Sequence, residues 1–212
     1  MTRDEALAHS GSIVQATELP VSADLENGFR DNPDEVAETV RLAIDVGLAG
    51  CSIEDFTGQR EAPIYEAGLA AERIVAAAHA AHAGAAQFVL TARSENYLHG
   101  RADLADTIGR LQAYQEAGAD VLYAPGLTEL DDIRQLVDSV DRPVNVLARP
   151  GAPSVSELAE VGVSRVSVGG GFAFTALGGL TEAAKELIEK GTYGFWDRGR
   201  VGARAAAAAF GS

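Results

Sequence analysis

The chain has 212 residues, 47% of them hydrophobic, one cysteine and a formal net charge of −14. A polyanion of this size has no electrostatic attraction for nucleic acid or an anionic membrane, and it is long enough to bury a sizeable core. The lone Cys51 excludes an internal disulfide framework and a cysteine-rich zinc site, and no apolar run reaches membrane-spanning length, so a cytoplasmic location is expected.

Residues 1–17, which include TRDEALAHSGSIVQA, read as a helix preceding the first strand. Short apolar runs rich in β-branched residues follow at 19–24, 49–54, 87–93, 119–124, 142–148 and 164–170, each with strand character. Between them, 33–47, 67–84, 103–118, 128–140 and 154–162 repeat their apolar residues every three or four positions, which predicts helices. Several of these stretches start on an acid or hydroxyl and have Gly just past the end, as helix caps require. The alternation predicts parallel βαβ units. VGGGFAF at 168–174 follows the last strand and lacks GxGxxG spacing, so it reads as a tight turn or an anion cradle rather than a nucleotide loop. VGARAAAAAF at 201–210 reads as a helix with an apolar face, within a C-terminal arm at 190–212. No Gly/Ser linker or Pro-rich break intervenes, and 1–212 predicts a single α/β-barrel domain.

Chemistry concentrates where the predicted strands end. VSADLENGF (21–29) places Asp24 and Glu26 two residues apart, which on a continuing strand puts both carboxylates on one face, about 7 Å apart. Two anions so placed call for something positive. Glu54 and Asp55, Arg93 and Glu95, Tyr123, Asn145 and Gly169 to Gly171 end the following strands. In a parallel barrel these ends converge on the face that carries active sites. Several carboxylates with one arginine suit a divalent cation bound by oxygen, and the absence of HxxxH, HExxH or a cysteine pair disfavours zinc. His79 and His82 read as positions on a surface helix.

SADLENGF, SIED, LTARSEN, EAGADVLYAPG and PVNVL, in this order and spacing, resemble the isocitrate lyase/phosphoenolpyruvate mutase superfamily over nearly the whole chain. The resemblance implies a (β/α)₈ TIM barrel, N-terminally truncated so that strands 3–8 are present. It implies a lyase dependent on Mg²⁺ (or Mn²⁺) that breaks a carbon–carbon bond, or a hydrolase, acting on a small 2-oxo or 2-hydroxy (di)carboxylic acid through a pyruvate-type enolate. Asp24 matches a metal ligand, and Glu26 and Glu54 match metal-shell acids. Arg93 matches the catalytic arginine that binds the substrate carboxylate, and Asn145 a polar substrate contact. The alternatives are a phosphonopyruvate-type P–C bond enzyme, or a catalytically silent barrel that binds carboxylates or oligomerises. Relatives often exchange a last helix between subunits, and a homo-oligomer is expected. One departure narrows the chemistry: FTGQREAPIYEAG, after Glu54 and Asp55, has none of the catalytic Cys, Lys or His that the lyases and mutases carry there. This argues against classical isocitrate lyase activity, and because the N-terminal strands supply substrate-gripping donors in relatives, weak or no lyase activity is expected of the chain as written.

Overall fold

The computed structural model describes residues 1–85 and 87–211. They form two compact units, Met1–Ser167 and Val168–Ser212.

The first unit contains α1 (Arg3–Gln15), β1 (Ser22–Asp24), α2 (Pro33–Asp45), β2 (Gly50–Glu54), α3 (Ala67–Ala81), β3 (Val89–Arg93), α4 (Leu104–Glu116), β4 (Val121–Tyr123), α5 (Leu130–Asp138), β5 (Val144–Leu147), α6 (Val155–Glu160) and β6 (Arg165–Ser167). All six strands are parallel and lie in sequence order, β1-β2-β3-β4-β5-β6. Each crossover from strand to parallel strand runs through a helix. Order and direction are those of consecutive strands in a (β/α)₈ barrel.

The helices start where the sequence supplies caps. Thr2 and Ser154 close capping boxes on α1 and α6, and Asn32 with Pro33 behind it opens α2. Each such cap satisfies backbone N–H groups that the first turn leaves without partners.

The strands alternate with a period of two, which divides the sheet into two chemically different faces. Cys51, Ile53, Leu90, Ala92, Leu122, Val144 and Val146 are buried in one core cluster with Val36, Val40, Ile74, Leu111, Ile133 and Leu136 of the helices. Cys51 is thus a small apolar core residue, as its place inside a strand suggests. The opposite face carries Asp24, Ser52, Glu54, Thr91, Arg93, Tyr123, Asn145 and Arg165. Its polarity is unusual for a barrel interior, which branched aliphatic side chains ordinarily fill.

The second unit consists of α7 (Gly171–Lys190) and α8 (Trp196–Phe210). The Gly-rich segment is the turn into α7, with Gly169 at a left-handed φ of 55°. The sequence reading anticipates neither α7 nor the start of α8 five residues before Val201. No helix among the described residues is long and apolar enough to cross a membrane.

Candidate active site

Arg93 ends β3 and stands at the centre of the polar face. Its guanidinium bonds Asp24 from the end of β1 through Nη1, Glu54 at 3.0 Å and Glu95 at 2.8 Å through Nη2, and Glu95 again at 2.9 Å through Nε. Three carboxylates therefore close on one cation. The side chains of Arg93, Glu54 and Glu95 are 12%, 7% and 3% exposed, whereas that of Asp24 is 58% exposed. The Tyr123 ring backs the arginine, with Cζ 5.3 Å from its centroid.

Electrostatics follow from this crowding. Burial opposes the charge on Arg93, but Glu54, Glu95 and Asp24 outweigh it and hold the guanidinium above its ordinary range. Burial pushes the Glu54 carboxyl up to about 8; Arg93 opposes the rise, while Glu95, Asp24 and Glu26 reinforce it. Glu95 is raised as well, chiefly by burial. The cluster thus holds a proton on Glu54 near neutral pH, where an isolated glutamate is ionised.

A stability prediction follows. Because the folded pKa of Glu54, about 8, lies above its ordinary 4.5, the folded chain binds more protons than the unfolded chain between those values. Its contribution favours folding at low pH and is lost as pH rises from 4.5 to 8, by at most about 1.4 kcal/mol per pH unit. Glu54→Gln is expected to flatten urea-midpoint profiles over that interval in metal-free buffer. Parallel profiles for the two proteins would contradict the assignment.

Four of the five sequence-predicted site residues fall on this face. Asp24, Glu54 and Arg93 meet directly. Asn145, 1% exposed in β5, lies farther along it, where it accepts from Arg165 Nε at 2.9 Å and donates to Ser167 at 2.9 Å. Glu26 departs from the strand geometry expected of it. The strand stops at Asp24, and Glu26 takes a left-handed φ of 51° with its N–H on Asp24 Oδ1 at 3.0 Å. Its carboxylate is exposed and close enough to reinforce the rise at Glu54. Capture of the backbone by the aspartate side chain is the reason the alternation fails there.

Three features went unrecognised in the sequence. Glu95, noted only as a charge at a strand end, is the most enclosed partner of Arg93. Asp55 turns away from the mouth: it accepts from Tyr114 at 2.7 Å, from the Glu95 N–H at 2.7 Å and from Arg110 at 3.3 Å. Arg73 of α3, 1% exposed, donates to the carbonyls of Asn27, Arg30 (2.7 Å) and Asp31 (2.9 Å) and stacks on Tyr65 at 4.2 Å. This clamp holds the loop that carries Glu26, whose left-handed residues Glu26 and Phe29 would otherwise relax. No sequence signal links residues so far apart. His79 is an exposed helix position, and His82 pairs with Asp120 at 3.0 Å.

Among the described residues no three acidic, histidine or cysteine side chains enclose a metal-sized space. The carboxylates close on Arg93 instead. Donor chemistry nevertheless fits a hard divalent cation. Mg²⁺ keeps several waters and uses only one or two carboxylates, and Asp24 offers one at the solvent edge of an anionic cluster.

The phosphoenolpyruvate phosphomutase family profile matches residues 1–188. A crystal structure of a Burkholderia cenocepacia J2315 protein, described as a lyase or mutase, superposes with a TM-score of 0.90 at 54% identity, covering 92% of this chain and 71% of that one. The 2-methylisocitrate lyase of Escherichia coli K12 is 34% identical over 149 residues, which are 68% of this chain and 49% of that enzyme. A 2,3-dimethylmalate lyase structure gives a TM-score of 0.81 at 26% identity, covering 92% of this chain and 69% of the other. The chain spans about half the length of the curated relatives it matches.

Proposed function

Since the chain belongs to the phosphoenolpyruvate phosphomutase family, within a superfamily of lyases and mutases, we propose that it carries the site of a Mg²⁺- or Mn²⁺-dependent lyase or hydrolase. The substrate is a small 2-oxo or 2-hydroxy (di)carboxylic acid, cleaved at a carbon–carbon bond through a pyruvate-type enolate. One observation carries this reading: Arg93 sits at the strand ends with more anion around it than it can neutralise.

Each residue has a part in it. Asp24, the exposed partner, is the cation's protein ligand; Glu26 and Glu54 hold its waters. The cation, when bound, supplies Lewis-acid stabilisation of developing negative charge. Once Asp24 turns outward, the Nη1 edge of Arg93 is left for a substrate oxygen. Glu54 and Glu95 keep the guanidinium oriented, so no reorganisation is needed as charge grows on that oxygen. Asn145 is a polar contact farther along the same face.

The loop after Glu54 and Asp55 has no lysine, which counts against P–C chemistry, and no cysteine, which counts against an isocitrate-type lyase. Among the described residues the loop is pinned by an isolated antiparallel bridge between Phe56 and Ile64. We extend the reading to a cytoplasmic homo-oligomer. Its support is the exposed apolar side chains of the second unit, among them Phe172, Phe174, Ile188, Trp196 and Phe210.

Calorimetry with Mn²⁺ in the presence of oxalate, a mimic of the enolate, tests the site. Asp24→Ala is expected to weaken metal binding by more than the roughly 10- to 100-fold that losing an outer-shell partner costs. Undiminished binding would show that Asp24 is not the ligand.

A further inference from the structure

The register of the sheet places Glu54, Arg93, Tyr123, Asn145 and Arg165 in one row, each the direct partner of the next. Direct partners in a parallel sheet point to the same face. The row is divided by chemistry: carboxylates gather at the ends of β1 and β2 and in the segment just after β3, while β4, β5 and β6 contribute none. A guanidinium has five N–H donors and no acceptor, so the first link of a hydrogen-bond chain that starts on one can run in a single sense.

Arg165, the first residue of β6, starts such a chain. Its Nη2 donates to Thr91 Oγ1 at 3.0 Å, two residues before Arg93 on β3, and its Nε donates to Asn145 Oδ1 at 2.9 Å. With its oxygen fixed on Arg165, Asn145 can only turn its NH₂ the other way, where it donates to Ser167 Oγ at 2.9 Å. The serine accepts this N–H on one lone pair and directs its own proton to Tyr123 Oη, at 3.5 Å the longest link. The tyrosine hydroxyl receives this bond, and its own proton has no acceptor among the described residues. Tyr123 is the last residue of β4, and its ring lies against Arg93.

The geometry points to Tyr123 as a hydrogen-bond donor to an anionic substrate oxygen beside Arg93, with Arg165 as the positioning residue that fixes the sense of the Asn145–Ser167–Tyr123 chain. The inference rests on the proposed reading of Arg93 as the carboxylate-binding group. It deepens that reading by assigning the β4–β6 half of the site to the ligand's anionic end.

The test combines calorimetry of oxalate with Mn²⁺ and ultraviolet titration of the phenol, in variants whose folding is checked by thermal melting. Tyr123→Phe, which removes only the hydroxyl, is expected to weaken oxalate binding about tenfold, the scale of one hydrogen bond to a charged group. Arg165→Met is expected to weaken it similarly, yet to add nothing when Tyr123 is already Phe. Arg165→Lys, which keeps a donor without an acceptor, restores most of the affinity. Equal binding by Tyr123→Phe and the parent would overturn the proposal, as would an Arg165→Met effect of the same size in both backgrounds. The titration separates this proposal from the reading it rests on. Ser167→Ala, a neutral change, is expected to raise the ionisation midpoint of Tyr123, identified by difference against Tyr123→Phe. An unmoved midpoint overturns the chain even if oxalate binds. A raised midpoint in a protein that binds no oxalate upholds the chain and condemns the carboxylate site.

Discussion

Arg93→Met is expected to reduce oxalate affinity by at least 100-fold, and to lower kcat by about 10²- to 10³-fold wherever the parent chain shows measurable turnover. The physical reason is that the guanidinium is the common partner of Asp24, Glu54 and Glu95. Removing it leaves Asp24 and Glu95 without a counter-charge beside a Glu54 that already holds its proton, and Glu95, raised by burial, is driven further towards its neutral form. The fold survives by that neutralisation, but an incoming carboxylate finds no cation. Arg93→Lys separates charge from shape. A lysine ammonium is a compact point charge and cannot bond carboxylates arriving from two strands and a loop at once. Affinity is therefore expected to stay at least tenfold below the parent, and parent-like binding by Arg93→Lys would refute the role given to the fork geometry.

The second large effect is on stability. Arg110 of α4 and Asp55 are 6% and 2% exposed and lie 3.3 Å apart, and the arginine also donates to Asp106 at 2.9 Å and to the Tyr65 carbonyl at 2.8 Å. Breaking a buried pair from one side leaves a charge that has lost both water and partner. Arg110→Met is expected to cost about 3 kcal/mol, towards the lower end for such pairs because Tyr114 and the Glu95 N–H still hold Asp55. In a chain of this size that lowers the melting temperature by about 6–12 °C. Urea unfolding provides the check, and a loss below about 1 kcal/mol would mean that the pair is not a keystone. Asp55 also fixes the backbone of Glu95, so the loss should reach the active site as weaker oxalate binding.

The parallel arrangement of α/β units was legible because its signals are local. The residues of β2, β3 and β5 alternate within a few positions, and Thr2, Asn32 and Ser154 announce helices next to them in sequence. Arg93, Asp24 and Glu54 could be nominated for the same reason, since each ends a strand and parallel strands bring their ends to one side. For Glu26 the strand pattern predicts the wrong geometry. Alternation tells where a side chain points only while the strand lasts, and the Asp24 side chain ends it by taking the Glu26 N–H.

The strand–helix alternation, the charged strand ends and the burial of Cys51 are legible in short stretches of the chain, because each depends on period, capping and burial over a few residues. How those charges pair is set by the packed fold. Glu54 and Asp55 are neighbours in the chain, yet one meets Arg93 from β3 and the other Arg110 from α4. Arg165 reaches Thr91 from 74 residues away. Such pairings depend on the register of parallel strands and on which helix covers them. The long-range contacts that set both have no counterpart in any short stretch of sequence, so the protonation of Glu54 and the orientation of Asn145 could not have been read there.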